Sequence, residues 1–151
     1  MTELLAAVRP DDWNFPLFLH VLGAMILVGA TLTCASALAF ARGDASLLRL
    51  GYWTLLLAGL PSYALMWGAA HWIYAKEGLD DSPVDSAWTT IGFVVAEGGA
   101  LVFIAALITG GIGLRRLPSR GQGLLKATLV LSLVLLGAFV VAVWAMSAKP
   151  D

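Results

Sequence analysis

Charge is what this sequence has least of: 13% of its 151 residues are Asp, Glu, Lys or Arg and 60% are hydrophobic, against roughly a quarter charged in average soluble proteins. That balance argues against a soluble globular domain. Nine basic residues face ten acidic ones, for a net charge of -1, and no basic run is longer than Arg115-Arg116. The electrostatic footprint of a nucleic-acid binder is therefore missing. There is one cysteine, Cys34, inside an apolar stretch; it has no intrachain disulfide partner and reads as a small packing residue. With two histidines in all, and no His-Glu-x-x-His motif, zinc hydrolysis has no ligand set. No repeat of fixed period and no low-complexity tract is present. The first twelve residues carry Glu3, Asp11 and Asp12 against Arg9, unlike the positive start of a secretory signal, so the first apolar segment reads as a retained helix.

Long uncharged runs fill the chain instead. Apart from Glu97, the stretches Phe15–Ala41, Leu50–Ala75, Ala87–Leu114 and Ala127–Ala148 contain no formal charge, and each reaches the roughly 20 apolar residues needed to cross a bilayer. They predict an all-α, integral-membrane four-helix bundle, a single domain over 1–151 with helices about 15–41, 50–75, 87–114 and 127–148. Short connections with breakers, Arg42-Gly43-Asp44 and Pro118-Ser119-Arg120-Gly121, predict an up-down-up-down order. Arg42, Arg49, Arg115, Arg116, Arg120 and Lys126 lie on one side, whereas the other has only Arg9, Lys76 and Lys149 among eight acidic residues. Because cytoplasmic loops are enriched in Lys and Arg, both termini are expected to be extracytoplasmic, in a bacterial cytoplasmic membrane. Asp85 or Ser86 is positioned to cap the third helix, and Pro61 to kink the second by freeing a carbonyl. Gly23, Gly29, Gly59, Gly68, Gly92, Gly98, Gly99, Gly110 and Gly111 suit close helix interfaces. The fourth helix, with Leu129–Leu136 almost wholly Leu, Val and Ser, reads as more lipid-facing.

His20 lies five residues inside the first apolar run and His71 five residues before Lys76, so on antiparallel helices both sit roughly 7 to 8 Å below the external helix ends. Matched depth on neighbouring helices permits two axial imidazoles to meet one haem iron. Around His20 the same helical face carries Gly23 and Ala24, and around His71 it carries Gly68, Trp67 and Ala64. Such small-residue grooves suit a flat porphyrin, and equally suit two helices packed with no cofactor. The expected cofactor is haem b on His20 and His71; structural histidines, or a copper or other metal site completed by Met146 or Met66, stand as alternatives. Glu97 is the one carboxylate within a span, nine residues beyond Trp88, or roughly 13 Å along the helix and near the bilayer centre. It suits a proton-relay or quinone-linked role, or else a neutral carboxyl bonded to Thr31, Thr33 or Ser132. Trp13, Trp67, Trp72, Trp88 and Trp144 gather in the external half, with Trp53 and Tyr52 at the other end. An interfacial belt explains most of them, and Trp67 and Trp72 are candidate pocket walls.

The stretch Phe18-Leu19-His20-Val21-Leu22-Gly23-Ala24, followed by Gly29, resembles the first helix of small bacterial four-span families, including the membrane domain of copper-resistance D-type proteins. More broadly the layout is similar to membrane b-type cytochromes. The four-span protoporphyrinogen oxidase family has a histidine helix of this kind, but with basic residues inside its spans, where this chain has none. The resemblance implies a haem-bearing electron-transfer protein or subunit of a respiratory assembly, with a quinone or a redox partner protein as donor or acceptor. Two other classes stand beside it: a cofactor-free accessory subunit of a larger complex or homo-oligomer, and a proton-coupled transporter centred on Glu97.

Overall fold

The computed structural model describes residues 13–76, 78, 87–117 and 121–148. Helix α1 is Asn14–Phe40, α2 Ala45–Thr54, α3 Leu60–Lys76, α4 Ala87–Arg115 and α5 Gly121–Ala148. A single π-helical turn, Leu55–Gly59, joins α2 to α3, so helical backbone continues from residue 45 to residue 76. No strand occurs among the described residues. Three helices, α1, α4 and α5, are long and apolar enough to cross a membrane.

Two helices start earlier than the uncharged runs indicate, at Ala45 rather than Leu50 and at Gly121 rather than Ala127. Arg49 and Lys126 interrupt the runs without interrupting the helices, since both residue types are good helix formers. The first of these starts is set by Asp44, whose carboxylate accepts from the Ser46 amide at 2.8 Å and the Ser46 hydroxyl at 2.6 Å, an N-cap that satisfies an otherwise orphan donor. Arg42 and Gly43, at φ 44° and 93°, make the turn before it. Residues 118–120 of the second breaker, the proposed caps Asp85 and Ser86, and the termini lie outside the described residues.

The expected disturbance at Pro61 takes the form of that π turn. Proline offers no amide to the Leu57 carbonyl four residues back; just before it, the Leu60 amide reaches five residues back to Leu55. Ser62 repairs the frayed turn, its hydroxyl donating to the carbonyls of Ala58 at 2.6 Å and Gly59 at 3.0 Å.

Around this rod, α1 packs on α2, α3 and α5, and α4 packs most extensively on α5. The main core joins Leu27, Cys34, Leu55, Tyr63, Phe103, Leu135 and Phe139. The lipid-facing reading of the fourth helix holds for one side of α5, where Val130, Leu133 and Val134 point outward; the other side is buried at Thr128, Ser132, Leu135 and Phe139. Composition alone hid this, because an apolar stretch looks the same whether lipid or protein covers it. Cys34 is fully buried, with the Ser132 hydroxyl 3.8 Å from its sulfur, a packing residue as expected.

Candidate functional site

On α3, Tyr63, Trp67, His71 and Tyr74 are spaced four, four and three residues apart, so they share one helical face. The facing residues are on α4. Tyr74 meets Phe93 edge-on, with ring centroids 5.0 Å apart, and His71 lies 5.6 Å from the same ring. One turn further, the Trp67 indole N–H donates to Glu97 Oε1 at 2.9 Å. The next contacts are Tyr63 donating its hydroxyl to the Ala96 carbonyl at 2.7 Å and stacking on Phe103 at 5.1 Å. As partners ascend along α3 they descend along α4, so the two helices are antiparallel. Large side chains bridge this seam while the backbones stay apart.

Glu97 is the chemical centre of the seam. Its Oε1 lies 3.8 Å from His71 Nε2, beyond hydrogen-bond length, and the carboxylate side chain is 58% exposed on the outer surface of the bundle. His71 is wedged by its neighbours: Trp67 stands 4.3 Å from its ring, and Nε2 is enclosed by protein without a hydrogen-bond partner. A carboxylate holding one donor retains most of its acceptor capacity. The side chain borders a cleft of about 280 Å³ whose walls include Leu60, Tyr63, Ala64, Trp67, Phe103 and Ile104. The arrangement can therefore accept a proton or a hydroxyl donor at Glu97, with an imidazole close enough to share that proton after a small movement.

The bland partners expected for Glu97 are engaged elsewhere. Thr31 and Thr33 donate to the carbonyls of Leu27 and Gly29, each at 2.8 Å, the usual back-bonding of hydroxyls in a helix, and Ser132 turns to Cys34. Trp67, read from the sequence only as a pocket wall, is the partner. Trp72 belongs to another surface, edge-on to Phe15 at 6.3 Å.

His20 is not part of the seam. Its Nδ1 lies 3.0 Å from the Met66 carbonyl; since a carbonyl only accepts, Nδ1–H is the donor. His71 stands five residues beyond Met66 on α3, which is about 140° around the helix and about 7 Å further along it. The two imidazoles turn to different neighbours, His20 to Met66 and His71 to Trp67, Phe93 and Glu97. The groove expected at Gly23 is filled by backbone: a Cβ there would come 2.8 Å from the Met66 nitrogen and 3.0 Å from the Ser62 oxygen. Haem b sandwiched between these two helices does not fit this packing. Gly68 has nothing within 4 Å, so its face is open to the outside and not to α1.

Among the described residues no group of three or more His, Cys, Asp or Glu side chains is arranged to hold a metal ion. Met146, offered as a soft ligand, packs its terminal methyl against Gly92. Three residues of the seam, Tyr63, Phe93 and Phe103, were missed in the sequence; the four-residue spacing of Tyr63, Trp67 and His71 marks the α3 face and so points to the first alone. The chain matches no family model, no curated protein and no solved structure.

Proposed function

We propose that this chain is a four-span, up-down-up-down protein of the bacterial cytoplasmic membrane, with both termini extracytoplasmic, that exchanges protons with a lipid-soluble redox carrier of the quinone class. It would act as a subunit of a redox assembly. The observation that carries this reading is the Glu97 carboxylate, held by Trp67 beside His71 at the edge of a cleft on the outer, apolar face of the helices. A carboxyl in hydrocarbon is costly and rarely present without a role. A quinol reaching the cleft through the bilayer can donate a hydroxyl hydrogen bond to Glu97; its oxidation releases two protons and two electrons, of which Glu97 takes one proton and His71 the other, while a one-electron acceptor in a partner redox protein takes the electrons one at a time. The aromatic walls suit a flat ring.

The test is proton uptake and binding by the purified protein in lipid nanodiscs. Short-chain ubiquinol should quench tryptophan fluorescence saturably, with binding weakened about tenfold in Glu97→Gln, the order expected for losing a charge-assisted hydrogen bond. Quenching that does not saturate, or that is identical in Glu97→Gln, refutes the reading.

A second reading, a membrane b-type cytochrome of the kind the helix-one motif resembles, is favoured by one observation: the Nδ1 bond of His20 to Met66 is the orienting contact that metal-ligating histidines commonly use. It requires α1 and α3 to part at Gly23, or ligation by His20 without His71. A reduced-minus-oxidised visible spectrum of protein from haem-replete cells decides it. Low-spin b-type bands lost in His20→Ala would install haem b as cofactor, and a colourless folded protein would remove it.

A further inference from the structure

The opposite end of the molecule carries a second concavity. Arg115 lies 18 residues beyond Glu97 on α4, about 27 Å along the helix. Between α2 and α4 a groove of about 490 Å³ opens there, with Tyr52, Trp53, Ile108, Gly111, Ile112 and Arg115 among its lining. Its two ends differ. Ile108, Ile112 and Arg115 share one face of α4 at spacings of four and three, so the groove runs from apolar to cationic over about 10 Å. The aromatic wall is built, with Tyr52 and Trp53 edge-to-face at 5.6 Å and the Tyr52 ring resting on Gly110 and Gly111.

None of the polar groups at this groove finds a partner among the described residues: the Arg115 guanidinium, the Tyr52 hydroxyl and the Trp53 indole N–H make no hydrogen bond or ion pair there. All three are donors. The surrounding charge has one sign, since Arg42, Arg49, Arg116 and Lys126 gather at the same end, where Ala41, Leu48, Leu114, Leu117 and Leu125 pack into one small core. The single described carboxylate there, Asp44, is engaged by Ser46. An apolar slot with unpartnered donors at its mouth, set in basic surroundings at the end of a membrane-length helix, matches a phospholipid: acyl chain along Ile108 and Ile112, phosphate at Arg115.

We infer that the groove between α2 and α4 is a binding site for an anionic phospholipid, its headgroup phosphate held by Arg115 with Tyr52 and Trp53. The inference stands apart from the Glu97 reading and needs only that the helices lie in a bilayer.

Native mass spectrometry of the full chain, released from micelles with equal phosphatidylglycerol and phosphatidylcholine, tests it. One phosphatidylglycerol per chain should be retained about fivefold over phosphatidylcholine, the preference expected from one basic residue near a phosphate. Arg115→Gln should bring that ratio close to one, while Lys126→Gln, which removes a charge at the same end but off the groove, should leave it. Ile108→Trp, on the exposed side of α4, should displace the retained lipid by filling the slot. Equal retention of the two lipids by the unaltered protein, equal losses in Arg115→Gln and Lys126→Gln, or undiminished retention in Ile108→Trp would each overturn the site.

Discussion

Helix α3 has two seams, and they are built in opposite ways. Toward α1 it is closed backbone against backbone, with Gly23 set on Ser62 and Met66 and the His20 imidazole bonded to the Met66 carbonyl. Toward α4 it is propped open by Tyr63, Trp67, His71 and Tyr74. In lipid there is no hydrophobic drive to push helices together, so close packing and interhelical hydrogen bonds must hold them. The first seam uses both and leaves no room; the second uses side-chain bridges and leaves a cleft. Of the two, only the second leaves space between the helices, in the cleft bordered by Trp67 and Glu97.

The largest expected effect comes from forcing the closed seam apart. Gly23→Leu places a branched side chain where the backbone atoms of Met66 and Ser62 lie within 3.0 Å of the first added carbon, and neither can swing aside as a side-chain tip would. Overpacking of a tight interface costs about 1–3 kcal/mol, and here the cost is expected at or above the upper end. Gly68→Leu is the matched control, because nothing lies within 4 Å of that position; a surface change of this kind stays within about 0.5 kcal/mol. Unfolding in mixed micelles reads both. Equal stability of the two variants would mean that α1 and α3 are not packed as described.

A smaller effect is expected at the open seam. Trp67→Phe keeps a ring against His71 but removes the donor to Glu97. Interhelical hydrogen bonds in membrane proteins average about 0.6 kcal/mol and reach about 1.7, so the fold should survive with a modest loss. The carboxylate should be the group that changes: its infrared carbonyl or carboxylate band should shift in Trp67→Phe and vanish in Glu97→Gln. A band in Trp67→Phe that is indistinguishable from that of the unaltered protein would show that the indole does not hold Glu97.

These contrasts explain why one part of the molecule was legible in sequence and another was not. The helices were legible because uncharged runs of spanning length leave few alternatives, and the start at Asp44 was missed only because Arg49 was weighed as a boundary when it is a helical residue. Depth was counted from the helix ends, which set Glu97 deeper than His71, whereas the two side chains lie 3.8 Å apart. Azimuth follows from spacing, and there His20 and His71 were paired although five residues past Met66 turns a side chain well away from α1. Glu97 was recognised by its charge, whereas Trp67 as its partner required knowing that α3 and α4 face each other; the repeat of Tyr63, Trp67 and His71 every four residues was the one available sign. The π turn before Pro61 was foreshadowed by proline chemistry, but not its five-residue reach.

The smallest expected effect lies outside both seams, in water, and it is the one that depends on pH. The Ser46 hydroxyl, and then its amide, donate to Asp44 and hold that carboxyl below the ordinary carboxylate range. A pKa depressed in the folded state means that the folded chain binds its proton less readily than the unfolded one, so stability rises with pH across the interval between the two values. The cap's contribution is therefore complete above the unfolded value of about 3.9 and is lost as pH falls through the lower, folded one. Because the group is fully exposed, water screens it and the loss is local: amides of the first turn of α2, Ser46 to Leu48, should exchange faster in Asp44→Ala than in the unaltered protein at pH 7, and the difference should shrink as pH falls below the unfolded value. The seams have no part in this titration, so exchange within α1 and α4 should not follow it. Equal protection of the first turn in both proteins at pH 7 would show that Asp44 does not fix the start of α2, and an acid-induced change centred on α3 and α4 would place the pH sensitivity in the open seam instead.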